Sequence, residues 1–332
     1  MAGAPPPPEI GLLAYPQAQL AAIHGLTDLF VIADRLARKR LGKSETLLRV
    51  SHLSLCETDG RVVRTFDTSP GAGGEPVVVI LPPSLGDPAA GENRAGLVDF
   101  LKVRYAAGTV LASVCAGAFL LAETGLLNGR AATTHWTYAD DLAQRFPDVQ
   151  VDTNKLIIDD GDIITAGGLM AWTDLGLKLV DRLLGSAMMI ETARFLLVDP
   201  PGREQRYYSI FSPRLGHGDA AILKVQHWLQ KAGLRDITAC AMAAKAGLEE
   251  RTFLRRFRKA TGLKPTEYCQ HLRVDKAREM LEATTRPIDQ IAWDVGYDDP
   301  GSFRKVFIKV IGLAPGDYRR RFGAETTSAH SP

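Results

Sequence analysis

Three cations, Arg251, Arg255 and Lys259, recur at i, i+4 and i+8, so a helix through them carries all three on one face. Phe253 and Phe257 fall on the opposite face and would anchor it in a core. A cationic stripe backed by an apolar anchor suits the phosphates and major groove of a nucleic-acid duplex. The preceding segment, Met242-Ala243-Ala244-Lys245-Ala246-Gly247-Leu248, has the spacing of a helix-turn-helix corner, with Gly247 at the tight turn. The whole pattern returns about 50 residues later as Ile291-Ala292-Trp293-Asp294-Val295-Gly296-Tyr297. There Phe303 and Phe307 are the anchor, and Ser302, Arg304, Lys305 and Lys309 face outward.

A second place has the residue types for covalent chemistry. An apolar run over residues 109–114 ends at Cys115, followed by Ala116-Gly117-Ala118 and a helical pattern. The thiol is expected on a sharp strand-to-helix turn, near amide donors and a positive helix end, a placement that lowers a thiol pKa. Thr133-Thr134-His135-Trp136 is expected to close a strand at the same sheet edge, where open α/β folds bind ligands. Cys115 and His135 are therefore a candidate pair, with Tyr15, Leu85 and Trp172 as further pocket candidates. Each also has a plainer reading: Cys115 as a small buried apolar residue, His135 as a structural histidine.

The elements that must position these groups fall into two halves. Apolar strands near residues 10–14, 46–55, 77–81, 109–114 and 131–134 alternate with amphipathic helices near 20–36, 91–106, 116 onward and 138–146. A hairpin over 156–165, turned at Asp160-Gly161, and a long helix over 169–184 complete a doubly wound α/β domain. Periodicity lapses after Asp199, and everything from Asp219 to Phe322 reads as helix. The expected organisation is an α/β domain over 9–198, a linker over 199–218, an all-α domain over 219–322 and a disordered tail over 323–332. The segment 265–284 reads as one helix joining the two helix-turn-helix motifs. Its span of about 30 Å is close to the ~34 Å of one DNA turn.

Composition bounds the function. The 332 residues, 45% hydrophobic and 23% charged, suffice for two cored domains. The net charge of +2 hides a split: residues 219–322 hold 20 Lys and Arg against 13 Asp and Glu, and the remainder holds 20 against 25. Only the last third is built to meet phosphate. No apolar run is long enough to cross a bilayer, and the start lacks a signal peptide's basic segment and apolar core. The four cysteines have neither metal-ligand nor disulfide spacing. A cytoplasmic protein with reduced thiols, no metal and no cofactor is expected.

The C-terminal third resembles the DNA-binding domain of the AraC/XylS family from about Ala220 to Phe322, including Thr261-Gly262-Leu263-Lys264-Pro265-Thr266-Glu267-Tyr268 and its echo Ile311-Gly312-Leu313-Ala314-Pro315-Gly316-Asp317-Tyr318. By that resemblance Arg251, Leu254 and Arg255 face the groove in the first motif, as do Gly301, Ser302, Arg304 and Lys305 in the second. Lys259 and Lys309 extend the same faces. The first half, about Glu9 to Leu197, resembles the PfpI-like branch of the class I glutamine amidotransferase-like superfamily, a flavodoxin-like fold, as found in GlxA-type regulators. That likeness rests on Ser113-Val114-Cys115-Ala116-Gly117-Ala118, Leu126-Leu127-Asn128-Gly129-Arg130, Thr133-Thr134-His135-Trp136 and Asp159-Asp160-Gly161-Asp162.

Enzymes similar to this domain use the cysteine as nucleophile, and this chain departs from them twice. Where they carry an acidic residue, it reads Leu20-Ala21-Ala22-Ile23-His24-Gly25; where they carry paired glycines, it has Pro82-Pro83, leaving Ser84 and Leu85 as amide donors. Asp28 is a substitute carboxylate or a local cap. No catalytic residue is assigned, and Cys115, His135, Ala116, Gly117, Ser84 and Trp136 are expected as walls of a ligand pocket. The resemblance implies a promoter-binding transcriptional regulator, mostly an activator, and a homodimer. It would answer to an amino acid, an amine or a related nitrogen compound and work with RNA polymerase. The alternative is a cysteine-dependent amidase or hydratase-like enzyme with a DNA-binding tail.

Overall fold

The structure, a computed structural model, describes residues 6–56, 60–87, 94–231, 235 and 237–323. The chain divides into two compact units between Gln205 and Arg206, inside the segment expected as a linker. The expected tail, beyond Gly323, lies outside the described residues, as does the start of the helix expected from residue 91.

In the first unit the order is β1 (Glu9–Ala14), α1 (Leu20–Leu41), β2 (Arg49–Leu55), β3 (Val62–Asp67), β4 (Val78–Leu81), α2 (Ala95–Ala106), β5 (Val110–Val114) and α3 (Gly117–Glu123). There follow β6 (Ala131–Ala132), α4 (Ala139–Arg145), β7 (Gln150–Val151), β8 (Ile157–Asp159), β9 (Ile163–Ala166), α5 (Trp172–Leu184) and α6 (Ser186–Leu196). The main sheet runs β3-β2-β1-β4-β5-β9-β8. Its inner five strands pair in parallel, and both edge strands are antiparallel to their neighbours.

Alternation along each strand feeds two cores, one on each face of the sheet. Ile10, Leu12, Val78, Ile80, Ala112 and Val114 pack with α1, α5 and α6, whereas Leu13, Val79, Leu81, Leu111 and Ile163 pack with α2 and α3. This is the doubly wound α/β fold, with the carboxyl ends of β4 and β5 bringing Pro82 and Cys115 to one edge.

Three elements differ from expectation. The strand expected over 131–134 at the edge of the main sheet is β6, two residues long, and it pairs with β7 in a separate two-stranded sheet, because Thr133 and Thr134 spend their hydrogen bonds on Thr165, Lys155 and Cys115 instead of a ladder. The long helix over 169–184 is followed by a second, α6, after a break at Gly185. The edge strand β3 was not foreseen, because its residues are mostly exposed and lack clean alternation. Charge fastens it instead: buried Arg49 pairs with Asp67 of β3 and with Glu9 at 3.2 Å, and Arg64 of β3 reaches Glu9 at 2.9 Å.

The second unit is helical: α7 (Ala220–Lys231), α8 (Ala239–Ala246), α9 (Glu250–Thr261), α10 (Pro265–Ala283), α11 (Ile288–Asp294), α12 (Pro300–Ile311) and α13 (Pro315–Phe322). It has two cores. Ile222, Val225 and Leu229 of α7 join Met242, Ala243, Phe253, Phe257 and, from α10, Tyr268 and Cys269. Val274, Ala277 and Leu281, further along α10, join Ile291, Ala292, Val295, Phe303, Phe307 and Tyr318. Two helix-turn-helix lobes therefore share one helix, and its 19 residues span about 28 Å.

Candidate functional site

At the end of β5 the backbone turns abruptly. Cys115 has φ +53°, a conformation a side chain rarely adopts, and Gly117 lies so close to the preceding strand that a Cβ would stand 2.5 Å from the Leu81 carbonyl oxygen. The expected elbow is present, but the thiol on it is 2% exposed. Burial pushes its pKa up to about 11, and the amides of Ala116 and His135, which donate to the sulfur, only partly offset that. The expectation of a lowered thiol pKa is corrected: desolvation outweighs the local donors.

The imidazole of His135 does not act on the thiol. The main-chain N–H of His135 does; the ring turns to Thr137, where Nδ1 accepts the amide at 3.2 Å and meets Oγ1 at 2.7 Å. Burial also lowers the pKa of this ring, so both members of the pair are neutral near pH 7. Asp28 is exposed on α1 and does not replace the missing carboxylate. Of the two remaining amide donors, that of Leu85 is bonded to the Gln17 carbonyl at 2.9 Å, and the Leu85 side chain is 67% exposed rather than a pocket wall. Ser84 is buried, with Oγ accepting the Gly86 amide at 3.2 Å. The Tyr15 hydroxyl donates to the Pro82 carbonyl, and burial, with Cys115 nearby, pushes the pKa of both Tyr15 and Tyr138 up, so both stay protonated. The rings of Trp136 and His135 meet at a tilt of 32°, with centroids 5.5 Å apart.

Three residues that the sequence did not single out as pocket candidates belong here. Thr134 donates from Oγ1 to the Cys115 carbonyl at 2.8 Å. Gln205, 2% exposed, donates from Nε2 to the carbonyls of Thr134 at 2.9 Å and Thr153 at 3.1 Å, and its Oε1 accepts the Trp136 amide at 2.9 Å. Gln19, 7% exposed, keeps its Oε1 without a partner among the described residues. A glutamine in an irregular segment read as a linker gives no periodic signal, so nothing in the sequence singles out Gln205.

A buried neutral thiol reacts slowly, because the thiolate is the nucleophile. Alkylation of Cys115 in the native protein at pH 8 is expected at less than about a hundredth of the rate of exposed Cys240, rising about tenfold per pH unit towards 11. Mass spectrometry of iodoacetamide-treated protein measures it. Equal labelling of both cysteines at neutral pH would contradict the burial described above.

In the second unit both corners form as spaced. Gly247 and Gly296 have φ +67° and +90°, the left-handed turn that lets each second helix depart. On α9, Phe253 and Phe257 are buried, and Arg251, Leu254, Arg255, Arg258 and Lys259 are exposed. Arg251, Arg255 and Lys259 enter no ion pair among the described residues, whereas Arg256 is held by Asp219 at 2.8 Å. On α12, Phe303 and Phe307 are buried, and Ser302, Arg304, Lys305 and Lys309 are exposed, with Gly301 partly so. Asp299 caps this helix, accepting the amides of Gly301 and Ser302 at 3.0 and 2.8 Å and the Ser302 hydroxyl at 2.7 Å. Arg304 forms an ion pair with Asp289 of α11.

Residues 242–321 match the helix-turn-helix domain model, and residues 55–182 match that of the DJ-1/PfpI family. The chain is 30% identical over 220 residues to the HTH-type transcriptional regulator GlxA of Rhizobium meliloti (strain 1021), covering 65% of this chain and 67% of that one. It is 30% identical over 249 residues to the HTH-type transcriptional regulator ArgR of Pseudomonas aeruginosa, covering 74% of each. A shorter likeness, 33% over 99 residues, links it to an isonitrile hydratase of Pseudomonas putida, covering 30% of this chain and 40% of that enzyme.

Proposed function

The chain belongs to the AraC-family, GlxA-type DNA-binding transcriptional regulators with a DJ-1/PfpI-like first domain, and from that premise we propose that a small effector bound beside Cys115 controls its grip on promoter DNA. The observation that carries the ligand half is the state of the site: a fold edge suited to ligands, lined by a protonated thiol and a neutral imidazole, with no carboxylate bonded to either among the described residues. Binding without turnover is what such a set supports. An amino acid, an amine or a related nitrogen compound is the effector class, in keeping with the family resemblance.

The path to the DNA-binding unit runs through Thr134, which bonds Cys115, to Gln205, whose next residue begins that unit. An effector that favours one arrangement of the His135 segment would bias the segment leading to α7. On DNA, Arg251, Leu254, Arg255 and Lys259 face one half-site, and Gly301, Ser302, Arg304, Lys305 and Lys309 face the other. The protein acts in the cytoplasm as a homodimer that meets RNA polymerase at its promoters. Among the described residues no helix is long and apolar enough to cross a membrane.

The elbow at Cys115 and the hydratase likeness favour a second reading, a cysteine-dependent enzyme joined to a DNA-binding unit. One experiment separates the two: the full chain selects genomic DNA fragments with and without amino acids and amines, and is assayed in parallel for isonitrile and amide turnover. We expect enrichment of paired half-sites about one DNA turn apart, altered by at least one compound, and no turnover. Turnover lost in Cys115→Ala, with DNA selection indifferent to every compound, would overturn the proposal.

A further inference from the structure

We propose that Asp289 is a specificity-determining residue of the second lobe, acting through Arg304; this rests on the DNA-binding reading of α12. The guanidinium of Arg304 donates to the Asp289 carboxylate across the α11–α12 corner, and both side chains are 49% exposed. An exposed pair of this kind adds little to stability. Its position matters more, because it lies on the basic outward face of α12, beside Lys305 and Lys309, neither of which enters an ion pair among the described residues.

The repeat within the chain supplies a comparison. Aligned on Met242 and Ile291, the two motifs place Cys240 where the second has Asp289; aligned on Phe253 and Phe303, they place Leu254 where the second has Arg304. One lobe carries the charged pair, and the other carries a thiol and an apolar side chain. Burial does not demand the pair, since Leu254 is also exposed, at 39%.

A carboxylate facing a polyanion weakens binding to every sequence, so it contributes only through selectivity. Arg304 alone on a four-bond stem can swing between phosphates and base edges. With its Nη2 donating to Asp289, the guanidinium plane is oriented and its remaining N–H groups are directed as a bidentate donor, the geometry that fits guanine O6 and N7. Asp289 thereby restrains Arg304 from the phosphates and aims it at one base pair of one half-site.

Selection from a randomised duplex library by the full chain tests this, using wild type, Asp289→Ala, Asp289→Asn and Arg304→Ala, with melting temperatures measured alongside. We expect Asp289→Ala to keep its melting temperature, to bind random DNA at least as tightly as wild type, and to lose about 5- to 100-fold in guanine preference at one position. Arg304→Ala should relax that same position, Asp289→Asn should relax it partly, and the other half-site should be unchanged in all three. Unchanged preferences in Asp289→Ala, or equal relaxation everywhere, would overturn the proposal alone. Selection of no sequence by the wild type would overturn the DNA-binding reading together with it.

Discussion

Gln205→Leu should destabilise the α/β unit by on the order of 3 kcal/mol and silence the response to effector while leaving binding of DNA by the helical unit intact. The side chain is 2% exposed and makes bonds to two carbonyls and one amide, those of Thr134, Thr153 and Trp136. Leucine fills the volume and removes these bonds, together with a longer one to the Thr133 hydroxyl at 3.4 Å. Each buried group left without a partner costs about 1–3 kcal/mol, and partial access of water reduces the sum. Functionally, the His135 segment would no longer be tied to the residue preceding the helical unit, so pocket occupancy would not reach it. Urea melts of the full chain measure the first effect, and promoter binding titrated against the active compound measures the second. A variant that melts like wild type, or one that still answers the compound, would remove Gln205 from the route proposed above.

Phe253→Ala should cost the first lobe about 3–5 kcal/mol, the range for emptying a large aromatic from a packed core. The loss should stop at that lobe. Phe253 is fully buried with Phe257, Tyr268 and the apolar face of α7, and the second core contains none of these residues. Phe303→Ala is expected to do the converse. Hydrogen exchange should show amides of α8 and α9 losing protection in Phe253→Ala while α11 and α12 keep theirs, with contacts to one half-site lost. Equal loss of protection in both lobes would mean that they fold as a single cooperative body.

Much of this arrangement was legible before the structure. The phenylalanine spacing, the two corner glycines and the cationic faces each have a period or a turn chemistry of their own, so α8, α9, α11 and α12 could be read directly. The parallel strands were equally plain, being short apolar runs between amphipathic helices. What escaped was whatever depends on residues distant in sequence. β3 is held by Arg49 and Glu9, which no local pattern in Val62–Asp67 announces. The thiol of Cys115 looked activated because its neighbours in sequence donate hydrogen bonds, whereas its charge state follows from enclosure by the whole sheet edge. Gln205 and the Arg304–Asp289 pair are single contacts between elements, and a sequence shows their chemistry without their meeting.

Two lobes strung on α10, each with a core of its own, let mutation act on them one at a time. On the reading proposed above, a change on α12 would retune half of an operator while α9 still gripped the other half, so a descendant would not need to abandon its old target in order to acquire a new one. Duplicated promoters could be captured in this stepwise way, with the stiff rod between the lobes keeping the spacing constant throughout.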